Sequence, residues 1–240
     1  QPAPPPATRD PADLPDLSEP LPLLEGCIGA AVDRAASRWD HQIGWVFDDA
    51  RISYRAMQEE SLRVAAALVA AGIGPRDTVA VWMPNLPEFA YCLFGCARVG
   101  AVLVAINTRS KSFEAGHVLT QGDAKLLIMV PRFLKHDFAA TFREVCPDWT
   151  GSRPSAALPR LSRVVLLAPE APPGMSTWAE FLGGGAAVDR ATVARCEAGR
   201  HWSAPALLQY TSGTTARPKG ALLNHRYVLN FGIEIMRRTG

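Results

Sequence analysis

The stretch Tyr210-Thr-Ser-Gly-Thr-Thr-Ala-Arg-Pro-Lys-Gly220 carries most of the chemical information in this chain. Its hydroxyl side chains are Thr211, Ser212, Thr214 and Thr215. Gly213 lets the backbone turn where a Cβ would clash, and such a loop can present several N–H groups and hydroxyls to one anion. Lys219 adds a mobile positive charge. The stretch predicts a loop that holds a polyphosphate.

This loop differs from the Walker phosphate loop, which reads GxxxxGK[ST] and leads into a helix. Here Lys219 precedes Gly220, and the apolar run 221–223 that follows predicts a strand. Segment 204–210 before the loop is also apolar and predicts a second strand. Because the loop joins two strands, it lacks the helix N-terminus that Walker loops use. An ordinary surface turn is the alternative, since Gly/Ser/Thr clusters commonly form turns.

Helical and extended patterns alternate through the rest of the chain. We predict helices over 28–39, 53–71, 87–99, 113–120 and 138–145, strands over 78–82, 101–106, 125–130 and 161–167, and a single helix, 176–182, between 169 and 203. The strand segments are continuously apolar, as strands covered on both faces should be. The pattern predicts an α/β fold with a doubly wound, mainly parallel sheet and flanking helices. Ligands are expected at the carboxyl ends of its strands.

Short local signals set the limits of the first elements. Segments 44–47 and 51–52 flank a turn at 48–50 and predict a hairpin. Ser53 is the expected N-cap of the helix that follows. Gly72 is the expected stop of that helix, because glycine readily adopts the left-handed conformation of a C-terminal cap.

The eleven residues 210–220 resemble the signature of the adenylate-forming superfamily, which includes acyl-CoA synthetases, firefly luciferase and the adenylation domains of peptide synthetases. Three further stretches resemble this family: Ile52-Ser-Tyr-Arg-Ala-Met, Gly72-Ile-Gly-Pro-Arg-Asp-Thr-Val-Ala-Val81 and Gly100-Ala-Val-Leu-Val-Ala-Ile-Asn107. The resemblance covers residues 28–231 and is strongest to fatty-acyl and medium-chain acyl-CoA synthetases.

The resemblance implies a two-step activation of a carboxylic acid, with a fatty acid as the implied substrate. ATP and Mg²⁺ serve the first step, which forms an acyl-adenylate, and the thiol of CoA or of a carrier protein accepts the acyl group in the second. The residues implied to contact phosphate are Thr211, Ser212, Gly213, Thr214, Thr215 and Lys219. His225 lines the acyl pocket in one interpretation and caps the end of a strand in the other. No residue of the chain is assigned a catalytic role.

The sequence departs from the family pattern in two residues and in length. Ala216 stands where glycine is usual, and Ala105 replaces a usual proline. The family's later motifs and C-terminal catalytic lysine have no counterpart in these 240 residues. We therefore expect residues 26–240 to be the N-terminal part of an AMP-binding domain. The proline-rich segment 1–25 before it is expected to be a disordered tail. The alternative is a non-enzymatic phosphate-binding or protein-interaction module.

Composition argues against several other classes of protein. Of the 240 residues, 48% are hydrophobic and 20% charged, which allows a substantial core. The net charge of +2 gives no reason to expect nucleic acid as a partner. The apolar run 89–106 is interrupted by Arg98, which is costly inside a bilayer, so we predict a buried helix and strand rather than a membrane span.

The cysteines favour a reducing compartment. There are five, and none forms a CxxC pair. Cys92 and Cys96 are four residues apart and would share one helix face, yet no histidine is near enough in sequence to complete a metal site. Buried free thiols and a cytoplasmic location are the expectation. The sequence leaves a homo-oligomer open as an assembly.

Overall fold

The computed structural model describes residues 22–211 and 218–239. In chain order, the first elements are α1 (Ile28–Trp39), β1 (Ile43–Phe47), β2 (Ala50–Ser53), α2 (Tyr54–Ala70), β3 (Thr78–Trp82), α3 (Pro87–Val99), β4 (Val102–Ala105), α4 (Ser112–Gln121) and β5 (Ala124–Met129). They are followed by β6 (Arg132–Phe133), β7 (His136–Asp137), α5 (Phe138–Val145), β8 (Arg163–Leu166), β9 (Ser176–Thr177), α6 (Trp178–Gly184), α7 (Arg190–Glu197), β10 (Pro205–Thr211), β11 (Lys219–Asn224) and α8 (His225–Thr239).

One sheet of seven strands organises the described residues, in the order β11-β10-β4-β3-β5-β8-β9. Strand β11 pairs antiparallel with β10, whereas the neighbouring pairs from β10 to β9 are parallel. Helix α2 packs against α1, α3 and α6, and α4 packs separately against α5. Successive residues of β3, Val79 to Trp82, are all fully buried, so both faces of the sheet are covered. The predicted doubly wound α/β fold is confirmed.

The predicted first elements are confirmed as well. Strands β1 and β2 form an antiparallel hairpin. The Ser53 hydroxyl accepts a hydrogen bond from the Ala56 N–H at 3.1 Å and so caps α2. Beyond the last turn of α2, Gly72 has φ +72°, the conformation that makes glycine a helix stop.

Two predictions between 169 and 203 were wrong. The helix predicted over 176–182 begins at Trp178, because Ser176 and Thr177 form the short strand β9 beside β8. Helix α7 was not predicted. Its buried apolar side chain is Val193, so the periodic pattern that reveals a helix is weak there.

Helix α7 is held largely by a buried charge. The Arg98 side chain on α3 is 0% exposed and donates to Glu197 of α7 at 2.9 Å and to Asp33 of α1 at 2.7 and 3.1 Å. It also donates to the Ser61 hydroxyl of α2 at 3.0 Å. Because a buried charge is tolerated only when paired, Arg98 fixes the mutual positions of four helices.

The structure also accounts for the thiols and for the apolar run around Arg98. Cys92 and Cys96 are free and fully buried, and burial raises the pKa of both thiols. The run 89–106 forms part of α3 and then β4, as predicted. Among the described helices, none is long and apolar enough to cross a membrane.

The stretch 72–81, one of those that resemble the family, has a structural role. Asp77 accepts hydrogen bonds from the Gly74 N–H at 3.0 Å, from Lys125 at 2.8 Å and from Arg160 at 2.9 Å. Burial raises the pKa of the Asp77 carboxyl, but these bonds, led by the one from Lys125, outweigh it and leave the pKa lowered. The group joins the amino ends of β3 and β5.

Candidate functional site

A cavity of about 330 Å³ lies at the carboxyl ends of β4 and β10. Its walls include Asn107, Arg109, Glu114, Tyr210, Thr211 and Pro218. In a parallel sheet this edge is where ligands bind. The described ends of the predicted phosphate loop therefore open onto the edge that the fold predicts for a ligand.

The β10–β11 pair brings the two described ends of the loop together. Thr211 and Lys219 lie opposite each other in the antiparallel register, and the Thr211 hydroxyl donates to the Lys219 carbonyl at 3.5 Å. Lys219 is exposed. Of the other predicted phosphate contacts, Ser212, Gly213, Thr214 and Thr215 lie outside the described residues.

The turn after β4 supplies a second cation that the sequence-based prediction missed. The Asn107 side chain accepts a hydrogen bond from the Arg109 N–H at 2.9 Å, and the Trp82 ring N–H donates to the Asn107 carbonyl at 3.1 Å. These bonds fix the turn that carries Arg109 to the cavity wall. Its position directly after a buried strand was the available signal.

Helix α4 forms the third wall. Its first turn is capped by Glu114, whose carboxylate accepts a hydrogen bond from the Lys111 N–H at 2.7 Å. One turn further on, His117 Nε2 lies 3.2 Å from the Pro218 carbonyl oxygen. The His117 ring also meets the Tyr210 ring edge-on, with centroids 6.3 Å apart. Burial raises the pKa of the Tyr210 hydroxyl, so Tyr210 stays neutral.

A shallower depression of about 730 Å³ adjoins this cavity and shares Arg109 with it. Its other lining residues include Phe133, Lys135 and His136 from the β6–β7 hairpin, which follows β5. Lys219, Arg109 and Lys135 therefore place positive charge along the carboxyl edge of the sheet. Such an edge can bind and orient anions by electrostatic attraction.

The described part of the chain offers little for a resident metal ion. Within residues 22–211 and 218–239, no group of three or more His, Cys, Asp or Glu side chains could hold one. A larger cavity, about 1030 Å³, lies between α2, α6 and α7, and is lined partly by Tyr91 and Trp178. It is lined by none of the predicted site residues, whereas Thr211 lines the carboxyl-edge cavity and pairs with Lys219 across the strands, so the carboxyl-edge cavity is the candidate site.

His225 directly follows β11 at the end opposite Lys219, roughly 20 Å away along the chain direction. Its ring is 0% exposed, and Nδ1 accepts a hydrogen bond from the Ile28 N–H at 3.4 Å. Burial first, and then the charge of Arg200, lower the pKa of His225 to about 4. This geometry buries His225 and does not bring it to the loop.

Comparison with known proteins identifies the family of the chain. A sequence profile of the family described as AMP-binding enzyme matches residues 32–239. The 3-[(3aS,4S,7aS)-7a-methyl-1,5-dioxo-octahydro-1H-inden-4-yl]propanoyl:CoA ligase of Mycobacterium tuberculosis is 34% identical over 203 residues, which are 85% of this chain and 37% of that ligase. The mitochondrial medium-chain acyl-CoA ligase ACSF2 of Rattus norvegicus is 27% identical over 216 residues, 87% of this chain and 35% of that ligase.

A solved structure gives the same result. The fatty acyl CoA synthetase of Mycobacterium tuberculosis superposes with a TM-score of 0.64 at 27% identity, covering 83% of this chain and 34% of that protein. The chain thus spans about a third of the length of these relatives. The resemblance first seen in residues 210–220 is confirmed over most of the chain.

Proposed function

The chain belongs to the family of AMP-binding enzymes, and we propose that it carries the phosphate-binding part of an acid–thiol ligase acting on a fatty acid. The observation that carries this proposal is the placement of Thr211 and Lys219, side by side at the carboxyl edge of the sheet and next to a cavity that Arg109 also lines. Arg109 and Thr211 line this cavity, and Lys219 follows Pro218 of its wall, so positively charged and hydroxyl-bearing residues adjoin a space at this edge.

The proposed chemistry has two steps. A carboxylate oxygen attacks the α-phosphate of ATP, so that an oxygen–phosphorus bond forms, the bond to the β-phosphate bridging oxygen breaks and pyrophosphate leaves. A thiolate then attacks the acyl carbon of the adenylate, and AMP departs. Activation is needed because a carboxylate alone offers no acceptable leaving group.

In this proposal the chain's own residues position and stabilise. Lys219 and the Thr211 hydroxyl hold the β- and γ-phosphates and balance the charge that grows on the departing pyrophosphate. Arg109 neutralises a further anionic group of a substrate at the same edge. Mg²⁺ is proposed to accompany ATP, as the resemblance implies, and none of the described residues is assigned to it as a ligand. His225 is kept as a structural residue.

The thiol acceptor, the limits of the loop and the compartment are also proposals. CoA is the proposed thiol, as in the names of the relatives, and a carrier-protein thiol is the alternative acceptor. The phosphate loop is proposed to span 210–220, and the compartment is proposed to be the cytoplasm. Leu24, inside the predicted tail, is held to α8, because the Asn230 side chain exchanges hydrogen bonds of 2.8 and 3.0 Å with its backbone.

Carboxylate-dependent exchange of labelled pyrophosphate into ATP tests the proposal. Fatty acids of several chain lengths are supplied to the 240-residue chain and to the protein at the length its gene encodes. Exchange that requires a fatty acid supports the ligase. If neither form catalyses exchange but the chain still binds pyrophosphate, the non-enzymatic phosphate-binding module replaces it.

A further inference from the structure

We propose that His117 is a positioning residue that fixes Lys219 at the carboxyl edge of the sheet. The inference rests on the proposed function, in which Lys219 contacts phosphate. His117 lies about a hundred residues before the loop, on α4, and the stretches that resemble the family do not include it. Its two contacts reach Tyr210, near the end of β10, and Pro218, just before β11.

The first contact is a hydrogen bond to the residue next to Lys219. His117 Nε2 lies 3.2 Å from the Pro218 carbonyl oxygen. A carbonyl oxygen can only accept, so Nε2 carries the proton and donates it. The Pro218 carbonyl belongs to the peptide bond whose nitrogen is that of Lys219. The bond therefore holds the backbone of Lys219 itself to α4.

The second contact reaches the other arm of the stem. The His117 and Tyr210 rings meet edge-on with centroids 6.3 Å apart and planes at 79°, a favourable arrangement for aromatic pairs. Tyr210 precedes Thr211, which pairs with Lys219 across the strands. One side chain thus touches both strands of the stem at the place where they part.

Such an anchor matters because β11 has little else to hold it. The first four residues of β11 are exposed, and within the described sheet the strand pairs on one side only, with β10. A flexible lysine on an exposed edge loses freedom when it binds phosphate. By fixing the backbone beforehand, His117 reduces that loss, which is how preorganisation raises affinity.

Paired substitutions separate the hydrogen bond from the ring contact. His117→Phe keeps an aromatic ring beside Tyr210 and removes the donor. His117→Gln places an amide N–H near the position of Nε2 and restores the donor. If the Phe variant does not fold, His117→Asn replaces it. The Asn amide has the same chemistry as the Gln amide, but its shorter side chain falls short of Pro218. Lys219→Ala serves as the control for the phosphate contact.

Two measurements are made on the full 240-residue chain. Hydrogen exchange is followed in peptides covering 218–224, with peptides from β3 as the internal reference. Calorimetric titration with inorganic pyrophosphate gives the affinity. We expect His117→Phe to speed exchange in 218–224 and to weaken pyrophosphate binding, each by about fivefold, the equivalent of one net hydrogen bond. His117→Gln should stay within about twofold of wild type.

The outcomes are distinct. Unchanged exchange and affinity in His117→Phe overturn the inference, as does a Gln variant that behaves like the Phe variant. Faster exchange in 218–224 together with no pyrophosphate binding by the wild type shows that His117 positions the strand while the proposed function fails. Faster exchange that extends equally to β3 shows general destabilisation and also overturns the inference.

Discussion

Strands β3 and β11 belong to the same sheet and differ in almost every physical respect. Four of the five residues of β3 are buried, and the strand pairs with β4 on one side and β5 on the other. The first four residues of β11 are exposed, and the strand pairs with β10. Lys219, which we propose contacts phosphate, is on β11. In this proposal the frame of the fold and its chemistry are carried by different strands.

The difference has a physical reason. A phosphate-binding lysine must meet solvent-borne ligands, and functional groups concentrate where a rigid frame presents exposed segments. Changes in β3 should therefore lower stability, whereas changes at the start of β11 should alter ligand binding and leave folding intact. Each prediction below tests one side of this contrast.

The largest loss of stability is expected for Trp82→Ala. The Trp82 ring is fully buried at the end of β3 and stacks on Phe138 with centroids 4.4 Å apart. Removing it should lower the free energy of unfolding by about 3–5 kcal/mol. Urea unfolding measures the change.

Trp82→Phe is the matched control for that change. It keeps a ring against Phe138 and loses the hydrogen bond to the Asn107 carbonyl, so about 1 kcal/mol is expected. A loss below about 1 kcal/mol in the Ala variant would contradict the central role of β3.

Acid should destabilise the end of β11 that His225 occupies. The pKa of His225 is lowered from 6.5 to about 4 by burial and by Arg200. The unfolded chain therefore takes up a proton below pH 6.5 that the folded chain refuses until about pH 4. Stability is unaffected above this window and falls as pH drops through it, by on the order of 3 kcal/mol.

His225→Asn isolates this effect, because the amide oxygen can still accept from the Ile28 N–H and does not titrate. The difference in unfolding free energy between the variant and wild type is followed from pH 7.5 to 4. Carboxylates with lowered pKa, such as Asp33 and Asp77, titrate in both proteins and cancel. Parallel pH profiles would show that His225 does not titrate as described.

Exposed apolar side chains next to β11 should make the chain self-associate. Phe231 is 53% and Met236 64% exposed on α8, and Leu222 is 60% exposed on β11. Light scattering should detect oligomers in the wild type, and Phe231→Glu with Met236→Glu should shift them toward monomer. A monodisperse wild-type monomer would contradict this expectation.

The smallest effect on stability is expected for Lys219→Ala. An exposed side chain at an edge contributes less than about 0.5 kcal/mol to folding. The same change should slow adenylate formation in the exchange assay and affect thiol transfer less, because Lys219 is assigned to the phosphates. Equal loss in both half-reactions would contradict that assignment.

Local signals predicted much of the frame. The Ser53 cap, the Gly72 stop and the apolar run of β3 act within a few residues. A short window of sequence therefore includes the residues whose interactions form these elements. Helix α7 escaped prediction because its main anchor, Glu197, binds Arg98, which is 99 residues away. The two-residue strands β6, β7 and β9 are too short for any periodicity to show.

The candidate site was predictable in part for the same reason. Thr211 and Lys219 belong to one continuous motif, so their meeting across the β10–β11 stem could be expected. Arg109 and His117 reach the site from another strand end and another helix, through the arrangement of the sheet. Their contacts depend on tertiary structure: the position of Arg109 after a buried strand was a local signal for it, whereas the sequence around His117 offers no such signal.

Mapping of pyrophosphate binding by amide chemical-shift changes on the isotope-labelled 240-residue chain tests the central claim most directly. We predict that shifts concentrate at Arg109, Tyr210, Thr211 and Lys219, and that the amides around His225 and throughout β3 stay unchanged. Shifts centred on His225 and Arg200, or in the cavity between α2, α6 and α7, would contradict the assignment of the chemistry to the exposed edge of the sheet.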